Sequence, residues 1–503
     1  MHFTYEEVEG LAAMAWCVKI QTNSSAVTVL HGSGIDCRED FFYEGCWNGD
    51  LTGTAFLSAN ICAASGAVIQ DDKLLIVSPS NTLARLYGIR NERGLFISNS
   101  MAFLVVAAGE TIDPSYMYYQ EDISSIIAGL KHAAKSIPLQ GGARITFYFH
   151  CNIEVKKTLD IEVYDKNPCL PFSNFLEYRR FLSKGLADLV KNANAPSRSV
   201  KFSPLVSISR GYDSVTCAVL AKEIGCLDAI TMFDPESETP DADNGAHLAS
   251  ILGLNVSEFS RVQYKESALE SEFFAIGTGG EDIFFAAMED LLAGKMFISG
   301  FHGDKVWDKN SKKISDQIIR GDPSGADLEE FRLRVGFIHV AIPFFGCRAH
   351  SSINSISRGV ELNEWSIGGD YDRPICRRIA EEAGLDRLSF GQKKKVMSRS
   401  YWNDGLEWYF GEQSLQEFRE YVSRNPKSVK KTDIVLHWLA QVTDKISSSA
   451  SRFSYRLGNL IAKIAGPLRR YQRPIDETKQ LFHWSFEKMV QRYRSALVRN
   501  QQF

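Results

Sequence analysis

The sequence predicts an α/β protein in which a β-rich amino-terminal region precedes a parallel sheet with helical crossovers and a helical carboxy-terminal extension. Two observations support this prediction. Short apolar or alternating runs between Gly, Asn and Asp residues fill residues 1 to about 155, which is typical of strands joined by turns. From residue 175 onward, strand-like runs alternate with segments of helical periodicity, and this alternation favours a parallel sheet.

The amino-terminal region is predicted to consist of short strands. Its strand-like runs are AVTVL, GTAFLSA, SGAVI, KLLIVS, GLFISNS and ARITFYFH. The sequence Gln-Asp-Asp-Lys at Gln70–Lys73 stands between two of these runs and predicts a hairpin turn. The stretch Asp165–Asn174 carries Pro168 and Pro171 among polar residues and predicts a linker after this region.

Beyond the linker, helices and strands alternate. The run FLEYRRFLSKGLADLVKNA has apolar residues at helical spacing, and the strand PLVSIS and a helix that ends at Gly225 follow it. The next elements are the strand DAITMF, a helix from about Asp243 to Leu252 and the strand KMFISG. From Asp327 to the end, the pattern is mostly helical.

These patterns divide the chain into three predicted domains: a β-rich domain over residues 1–160, an α/β domain over 175–400 and a helical extension over 401–503. The extension is basic from about Lys445 and mixes aromatic, aliphatic and arginine residues. We expect its helices to pack on the α/β domain with solvated arginines. The alternative is an amphipathic surface for an anionic membrane or a partner.

Length, charge and composition exclude several classes of protein. A chain of 503 residues is long enough for two or three domains, and its formal net charge of −4 gives no sign of a general nucleic-acid binder. No run of about 18 apolar residues predicts a membrane span, and the start MHFTYEEVEGLAAMAW lacks the basic residues of a secretory signal. The 10 cysteines include no Cys-x-x-Cys pair, which is typical of reduced, buried thiols, so we expect a cytoplasmic protein.

The stretch Leu205–Gly225, LVSISRGYDSVTCAVLAKEIG, places polar residues between a predicted strand and a predicted helix. Such a loop lies at the carboxyl edge of a parallel sheet, where the N–H groups and dipole of the helix attract phosphate. Ser209 and Ser214 can donate hydrogen bonds to phosphate oxygens, and Asp213 can hold Mg²⁺. Gly211 can take the backbone angles of a tight loop. The sequence therefore predicts a pyrophosphate-binding loop, the alternative being a helix capped by Ser209 or Asp213.

These residues resemble the phosphate loop of the asparagine synthetase superfamily, which reads Ser-Gly-Gly-x-Asp-Ser. Here the positions from Ser209 to Ser214 read Ser-Arg-Gly-Tyr-Asp-Ser, so only the first glycine departs, to Arg210. The resemblance implies a synthetase domain with an adenine-nucleotide α-hydrolase-like parallel sheet that binds ATP and Mg²⁺. The guanidinium of Arg210 then either binds phosphate or fills the space that the α-phosphate needs.

A second motif, KMFISGFHGDKVW at Lys295–Trp307, resembles the same family. The family motif reads Ser-Gly-Glu-Gly-Ala/Ser-Asp-Glu-Leu-Phe, and Ser299, Gly300 and Asp304 match it. The resemblance implies that Ser299 and Gly300 contact the adenine edge. It also implies that Asp304 joins Asp213 as a magnesium ligand. The alternative is a buried strand that ends in a glycine turn.

A third motif follows a predicted helix that ends at Gly384. The segment FGQKKK resembles the family's Arg-Gln-Lys segment, whose lysine stabilises charge on the pentacovalent phosphorus and on the tetrahedral intermediate. Lys393 is the matching residue, with Lys394 and Lys395 as near alternatives. The other interpretation of this run is a solvated basic loop.

The amino-terminal region resembles the family's glutaminase domain over Ser65–Leu104, which implies a degenerate Ntn-hydrolase-like β-sandwich. Its turn SNTLARLY keeps only Leu86 and Tyr87 of the family motif. Glutamine hydrolysis in that fold uses a terminal cysteine with its own α-amino group as base. The chain starts with Met1, and Cys17 is its first cysteine, so we expect a scaffold role without glutaminase activity.

The resemblance implies an AMP-forming amide ligase. A carboxylate attacks the α-phosphate of ATP, pyrophosphate leaves, and an amine displaces AMP from the acyl-adenylate.

In relatives without glutaminase activity, such as the β-lactam, carbapenam and lasso-peptide synthetases, a tyrosine or histidine two places after the motif's serine helps to deprotonate the amine. This chain has Phe301 there, so the neighbouring His302 is the candidate base, the alternative being a capping or solvated loop histidine. Their partner acid falls near Gly336, where we expect His339 to be a core residue.

The expected partners follow from the same resemblance. They are a small-molecule or peptide carboxylate and an amine donor, which is free ammonia, a small amine or the substrate's own amine, and a homodimer is compatible with them. Two other functions stay open. One is a catalytically silent nucleotide-binding or scaffold protein, which Arg210, Phe301 and Lys305 favour. The other is an adenylating enzyme that uses another nucleophile, such as sulfur.

Overall fold

The computed structural model describes residues 1–167, 169–236, 239, 243–266, 271–277, 279–392, 400–426, 431–453, 461, 466–473 and 476–500. Over these residues the protein is a mixed α/β chain with three sheets. The strands are β1 His2–Glu7, β2 Trp16–Ile20, β3 Ala26–His31, β4 Asp36–Cys37, β5 Phe41–Trp47, β6 Cys62–Gln70, β7 Lys73–Val77, β8 Leu86–Asn91, β9 Gly94–Ser98, β10 Ser136–Pro138, β11 Arg144–Tyr148, β12 Cys151–Val155, β13 Ile161–Asp165, β14 Ser203–Ser207, β15 Asp228–Phe233, β16 Asn255–Ser260, β17 Lys295–Ser299 and β18 Ile338–Ala341.

The α-helices of the same residues are α1 Gly53–Ser58, α2 Met101–Ala108, α3 Tyr119–Ser124, α4 Phe175–Ala193, α5 Tyr212–Glu223, α6 Ala246–Ile251, α7 Glu272–Ala275, α8 Glu289–Leu292, α9 Gly303–Val306, α10 Glu329–Val335, α11 His350–Arg358, α12 Pro374–Glu382, α13 Tyr401–Asp404, α14 Leu406–Tyr409, α15 Glu412–Arg424, α16 Lys431–Phe453 and α17 Leu481–Asn500. Helices therefore dominate the chain after β18, as the sequence predicts.

Two sheets form the amino-terminal region. One has the strand order β1-β3-β2-β9-β8-β11-β10, and the other has the order β13-β12-β7-β6-β5-β4. Trp16 of the first sheet and Phe42 of the second belong to one cluster of buried side chains, so the sheets pack face to face. The two rings meet edge to face with their centroids 5.2 Å apart.

The predicted hairpin turn is confirmed. Gln70 and Lys73 pair across β6 and β7. Between them, Asp71 and Asp72 have φ values of 50° and 61°, which is the two-residue turn that matches the twist of paired strands.

The expected strand GTAFLSA is wrong, because Gly53–Ser58 form the helix α1. The Oγ1 of Thr52 accepts a hydrogen bond from the amide of Ala55 at 3.2 Å and so caps the first helical turn. Gly53 also packs closely on β6, since a Cβ there would lie 2.9 Å from the Cγ1 of Val68. An apolar run of this length does not distinguish a short helix from a strand.

The third sheet is parallel throughout, with the strand order β16-β15-β14-β17-β18. Its strands β14, β15 and β17 correspond to the predicted runs PLVSIS, DAITMF and KMFISG. The chain starts in the middle at β14, runs outward to β16, and then returns to β17 and β18 on the other side. The strand order reverses between β14 and β17, and in sheets of this kind ligands bind at the carboxyl ends of such strands.

Two strands of the parallel sheet were missed by the sequence pattern. β16 is an edge strand with no buried side chain, so it lacks the apolar run of a buried strand. β18 consists of four buried residues within a region whose periodicity is mostly helical. Periodicity does not separate so short a buried strand from a helix.

The carboxy-terminal helix α17 contacts both parts of the chain. It packs on α2 of the amino-terminal region, where the ring of Tyr493 stacks on Phe103 at 5.2 Å, and on α7 of the region that follows. The expectation that the extension packs on the α/β region is therefore incomplete.

Within the described ranges, no helix is both long enough and apolar enough to cross a membrane.

Candidate functional site

The loop between β14 and α5 carries the residues predicted to bind phosphate, and its two serines hold it together. The Oγ of Ser209 accepts a hydrogen bond from the amide of Gly211 at 3.1 Å. The Oγ of Ser214 accepts one from the amide of Ser209 at 3.0 Å. The two hydroxyl groups also hydrogen bond to each other at the start of α5, with their oxygens 2.9 Å apart.

Gly211 differs from its expected role. It is the N-cap of α5 with φ −78° and ψ 154°, an extended conformation that any residue adopts, so the expected need for unusual backbone angles is wrong. The proposed caps Ser209 and Asp213 are also wrong, since the helix begins one residue after Gly211 without a side-chain cap. A Cβ on Gly211 would lie 3.4 Å from the Oγ of Ser209, which is an ordinary contact, so the packing does not require glycine here either.

The loop after β17 packs directly on the loop of Ser209–Ser214. A Cβ on Gly300 would lie 2.8 Å from the carbonyl carbon of Asp213, and one on Gly303 would lie 2.5 Å from its Cγ. Only glycine permits such close approach. The Oγ of Ser299, at the buried end of β17, hydrogen bonds to the Nε2 of His339 at 2.8 Å. The second motif therefore lies against the first, and His339 is a satisfied core residue as expected.

The segment before the lysine run also contacts the loop of Ser209–Ser214. The amide of Gly391 donates a hydrogen bond to the carbonyl oxygen of Arg210 at 2.8 Å. The Nε of Arg210 is 3.4 Å from the carbonyl oxygen of Ser389, so this side chain leans toward the third motif. Lys393, the predicted catalytic residue, lies outside the described residues, as do Lys394 and Lys395. The described part of the motif ends at Gln392, next to the loop.

Each carboxylate predicted to bind magnesium forms an ion pair within the chain. Asp213 pairs with the guanidinium of Arg373, and Asp304 pairs with the Nζ of Lys305 at 2.7 Å. In the part of the chain that the structure describes, no three His, Cys, Asp or Glu side chains are grouped as metal ligands. The pair at Asp213 does not fit a divalent ion bound to that carboxylate, because the guanidinium already supplies the positive charge there. The metal roles of both residues stay a prediction from the resemblance.

His302 is buried rather than solvated. It has a left-handed backbone with φ 75°, and its ring stacks on Phe344 with the centroids 4.8 Å apart. Burial is the largest cause that lowers the pKa of the imidazole, to about 3. The ring is therefore neutral at pH 7, as expected, but it binds a proton weakly. Its role as a base stays a prediction, and the low pKa weighs against it.

Sequence reasoning missed a group of acids beside Phe301. The amide of Gly325 donates to the Oδ2 of Asp282 at 2.7 Å, and a Cβ on Gly325 would lie 3.3 Å from the ring of Phe301. The Oδ2 of Asp327 accepts from the amide of Glu281 at 3.0 Å. Burial, followed by the charge of Asp327, raises the pKa of Glu281 to about 7. The signal was the charged pair Glu-Asp at the start of the apolar segment EDIFFAAM.

The place where the sequence predicts a partner acid is remote from this group. Gly336 follows α10, and its carbonyl oxygen accepts a hydrogen bond from the amide of Gly294 at 3.0 Å. Both residues precede the strands β18 and β17, so they lie at the amino edge of the parallel sheet. The predicted ligand residues lie at the opposite, carboxyl edge.

Cys17 is not arranged as a nucleophile. It lies in β2 with 0% of its surface exposed, and burial raises the pKa of its thiol well above the usual range. A reactive cysteine needs an exposed thiolate.

Comparison of the chain with protein-family models finds no match, and comparison with curated proteins finds none either.

Proposed function

We propose that the chain is an ATP-dependent, AMP-forming amide ligase of the asparagine synthetase type, without glutaminase activity. The observation that carries the proposal is the convergence of three motifs that are distant in the sequence. The loop of Ser209–Ser214, the loop of Ser299–Gly303 and the segment that ends at Gln392 meet at one edge of a parallel sheet. If the three motifs were only a capped helix, a glycine turn and a solvated basic loop, their contact with one another would have no functional reason.

Each group has a role in this proposal. The hydroxyls of Ser209 and Ser214 and the start of α5 bind the phosphates. Ser299 and Gly300 would contact the adenine edge, as the resemblance implies. Lys393 follows the anchored segment and supplies positive charge to the phosphorus and to the acyl oxygen in the two transition states. In keeping with the resemblance, the amino-terminal sheets would be a degenerate Ntn-hydrolase-like domain.

The proton of the attacking amine needs an acceptor. Glu281 is the better candidate than His302, because its pKa of about 7 suits proton transfer near neutral pH, whereas the pKa of His302 is about 3. Glu281 is half-buried and lies in the acid group beside Phe301. The amine itself is free ammonia, a small amine or part of the substrate.

The test is ATP-dependent release of pyrophosphate in the presence of a panel of carboxylates and amines. Ser214→Ala should abolish a large part of this release, because it removes a hydroxyl from the phosphate loop. Ser207→Ala is the matched control, since its Oγ faces the carbonyl oxygen of Ile298 at 3.4 Å, within the sheet. Equal activity of the two variants, or no pyrophosphate release from ATP with any carboxylate and amine, would contradict the proposal.

The ion pairs at Asp213 and Asp304 favour a second candidate, a catalytically silent nucleotide-binding protein. Both carboxylates are already neutralised by Arg373 and Lys305, so the chain can hold this edge together without reaction. That candidate predicts ATP binding with no pyrophosphate release for any carboxylate. An adenylating enzyme with a sulfur nucleophile would instead release pyrophosphate with carboxylate alone and give no amide.

A further inference from the structure

We propose that Arg373 supplies at Asp213 the positive charge that a divalent ion supplies in the related enzymes, so that the phosphate loop binds a triphosphate without a metal ion on Asp213. The inference rests on the proposed function, because it concerns how the same loop binds ATP. It concerns a residue, Arg373, that no motif singles out.

The carboxylate of Asp213 is enclosed on two sides. Its Oδ2 is held by Arg373. On the other side, a Cβ on Gly303 would lie 2.6 Å from its Oδ1, so the backbone of the second loop covers that oxygen. A magnesium ion demands an octahedral shell and usually keeps several waters. The two neighbours of the carboxylate occupy the space that such a shell would need.

Arg373 is fixed in this position by its own packing. Its side chain is 4% exposed. The guanidinium carbon lies 4.9 Å from the ring centroid of Tyr371 and 6.0 Å from that of Tyr212. One turn further along the chain, Arg377 hydrogen bonds to the hydroxyl of Tyr212 and fixes that ring. A metal ion that displaced Arg373 from Asp213 would leave a buried guanidinium without its counter-charge, which is strongly unfavourable.

The second predicted ligand is balanced in the same way. The Nζ of Lys305 lies 2.7 Å from the Oδ2 of Asp304. The end of this lysine packs on the backbone of Gly321, where a Cβ would lie 2.5 Å from its Cε. Arg373 and Lys305 thus place two positive charges beside the two carboxylates.

A guanidinium can serve both the carboxylate and a phosphate. It carries five N–H donors in a planar fork, and its pairing with one carboxylate oxygen uses only part of them. Arg373 pairs with Asp213, the residue before Ser214, and its remaining N–H groups can donate hydrogen bonds to a phosphate. Because the charge of Arg373 offsets that of Asp213, this carboxylate does not repel a triphosphate even when no metal ion is bound.

The test is calorimetric titration of the full chain with ATP in buffer with EDTA and in buffer with excess Mg²⁺. The inference predicts dissociation constants that agree within about threefold. Binding that is at least about tenfold weaker in EDTA would overturn the inference and leave the proposed function standing. Absence of binding in both buffers would overturn the proposed function, and the inference with it.

A second titration with ATP uses the variant Arg373→Met. This substitution should weaken ATP binding in EDTA by at least about tenfold, and Mg²⁺ should restore part of the loss because Asp213 is then released to bind it. Arg378→Met is the matched control: this arginine of α12 pairs with Glu361 and stacks on Phe175, away from Asp213. If Arg373→Met does not fold, the double variant with Asp213→Asn removes both charges together and should show the same weak binding. Full-strength binding of either variant in EDTA would contradict the inference.

Discussion

The amide of Gly391 donates a hydrogen bond to the carbonyl oxygen of Arg210 at 2.8 Å. This bond joins the loop after α12 to the loop after β14. Gly391 has φ 63°, and a Cβ at this position would overlap the ring of Tyr212 on α5. The glycine is therefore needed for both its backbone conformation and its lack of a side chain.

Gly391→Ala should destabilise the fold and weaken ATP binding. The left-handed backbone costs a non-glycine residue about 1–2 kcal/mol, and the overlap with Tyr212 adds to that. Gly384→Ala is the matched control, because Gly384 has φ 88° and no heavy atom within 4 Å of a Cβ. Chemical denaturation and ATP titration should show the larger loss at Gly391. Equal losses would mean that the contact with Tyr212 does not matter.

Lys393→Ala should abolish turnover and leave the fold intact. Negative charge grows on the phosphoryl and acyl oxygens, and a preorganised ammonium there is worth on the order of 10²–10³ in rate. Pyrophosphate release should fall by that factor, while the melting temperature and the ATP affinity stay the same. Lys394→Ala and Lys395→Ala are the controls and should be milder. If one of them is the sensitive residue, the register is wrong; if none matters, the third motif is not catalytic.

Glutamine should not serve as a nitrogen source. Cys17 is buried in β2 and its thiol has a raised pKa, so it cannot act as the thiolate nucleophile of a glutaminase. Incubation of the protein with glutamine should release no glutamate above the spontaneous rate. The Cys17→Ala variant is the control, and glutamate release that this variant abolishes would contradict the prediction.

Glu281→Gln should lower amide formation more than His302→Asn does. The loss in Glu281→Gln is expected because the amide side chain of Gln cannot accept the proton of the amine. Asn is chosen at position 302 because it tolerates the left-handed backbone there. Both variants should keep ATP binding, measured by calorimetry. The wild-type rate should rise as pH increases through about 7, because the pKa of Glu281 is about 7 and its carboxylate is the active form. A larger loss in His302→Asn would identify His302 as the base.

Glu330 makes the stability of the fold depend on pH. It accepts hydrogen bonds from the Oγ of Ser100 at 2.6 Å and from the hydroxyl of Tyr493 at 2.8 Å, so it joins three parts of the chain. Burial raises its pKa from 4.5 to about 7. The folded state therefore holds the proton more tightly, and the stability that this contributes is present below pH 4.5 and is lost as pH rises through about 7.

Replacement of Glu330 by Gln removes this titration. Relative to wild type, Glu330→Gln should gain unfolding free energy between pH 5 and pH 8, by up to about 3 kcal/mol. Urea denaturation at the two pH values measures the difference. Glu407→Gln, on an exposed side chain, is the control for the substitution itself. A difference that does not change with pH would show that Glu330 keeps its charge in the folded state.

Much of the candidate site could be predicted because its parts follow strands and helices in order. Strand β14, the start of α5, strand β17 and the turn at Gln70–Lys73 all agree with the sequence pattern. The short helix α1 and the strand β18 were not predicted, because a few residues do not define a period, and β16 was not predicted because an edge strand without buried side chains lacks an apolar run. The buried state of His302 was also missed, since exposure depends on Phe344 and other distant neighbours.

The position of each loop at the end of a strand could be predicted from the local sequence, because glycine, serine and the apolar runs act on their immediate neighbours. The pairing of charged side chains could not be predicted in this way. Arg373 reaches Asp213 only because α12 packs beside α5, and Asp282 lies near Phe301 only because Gly325 contacts both of them. Such pairings join segments that are far apart along the chain, and their energies arise from burial and close approach, which exist only after the chain has folded.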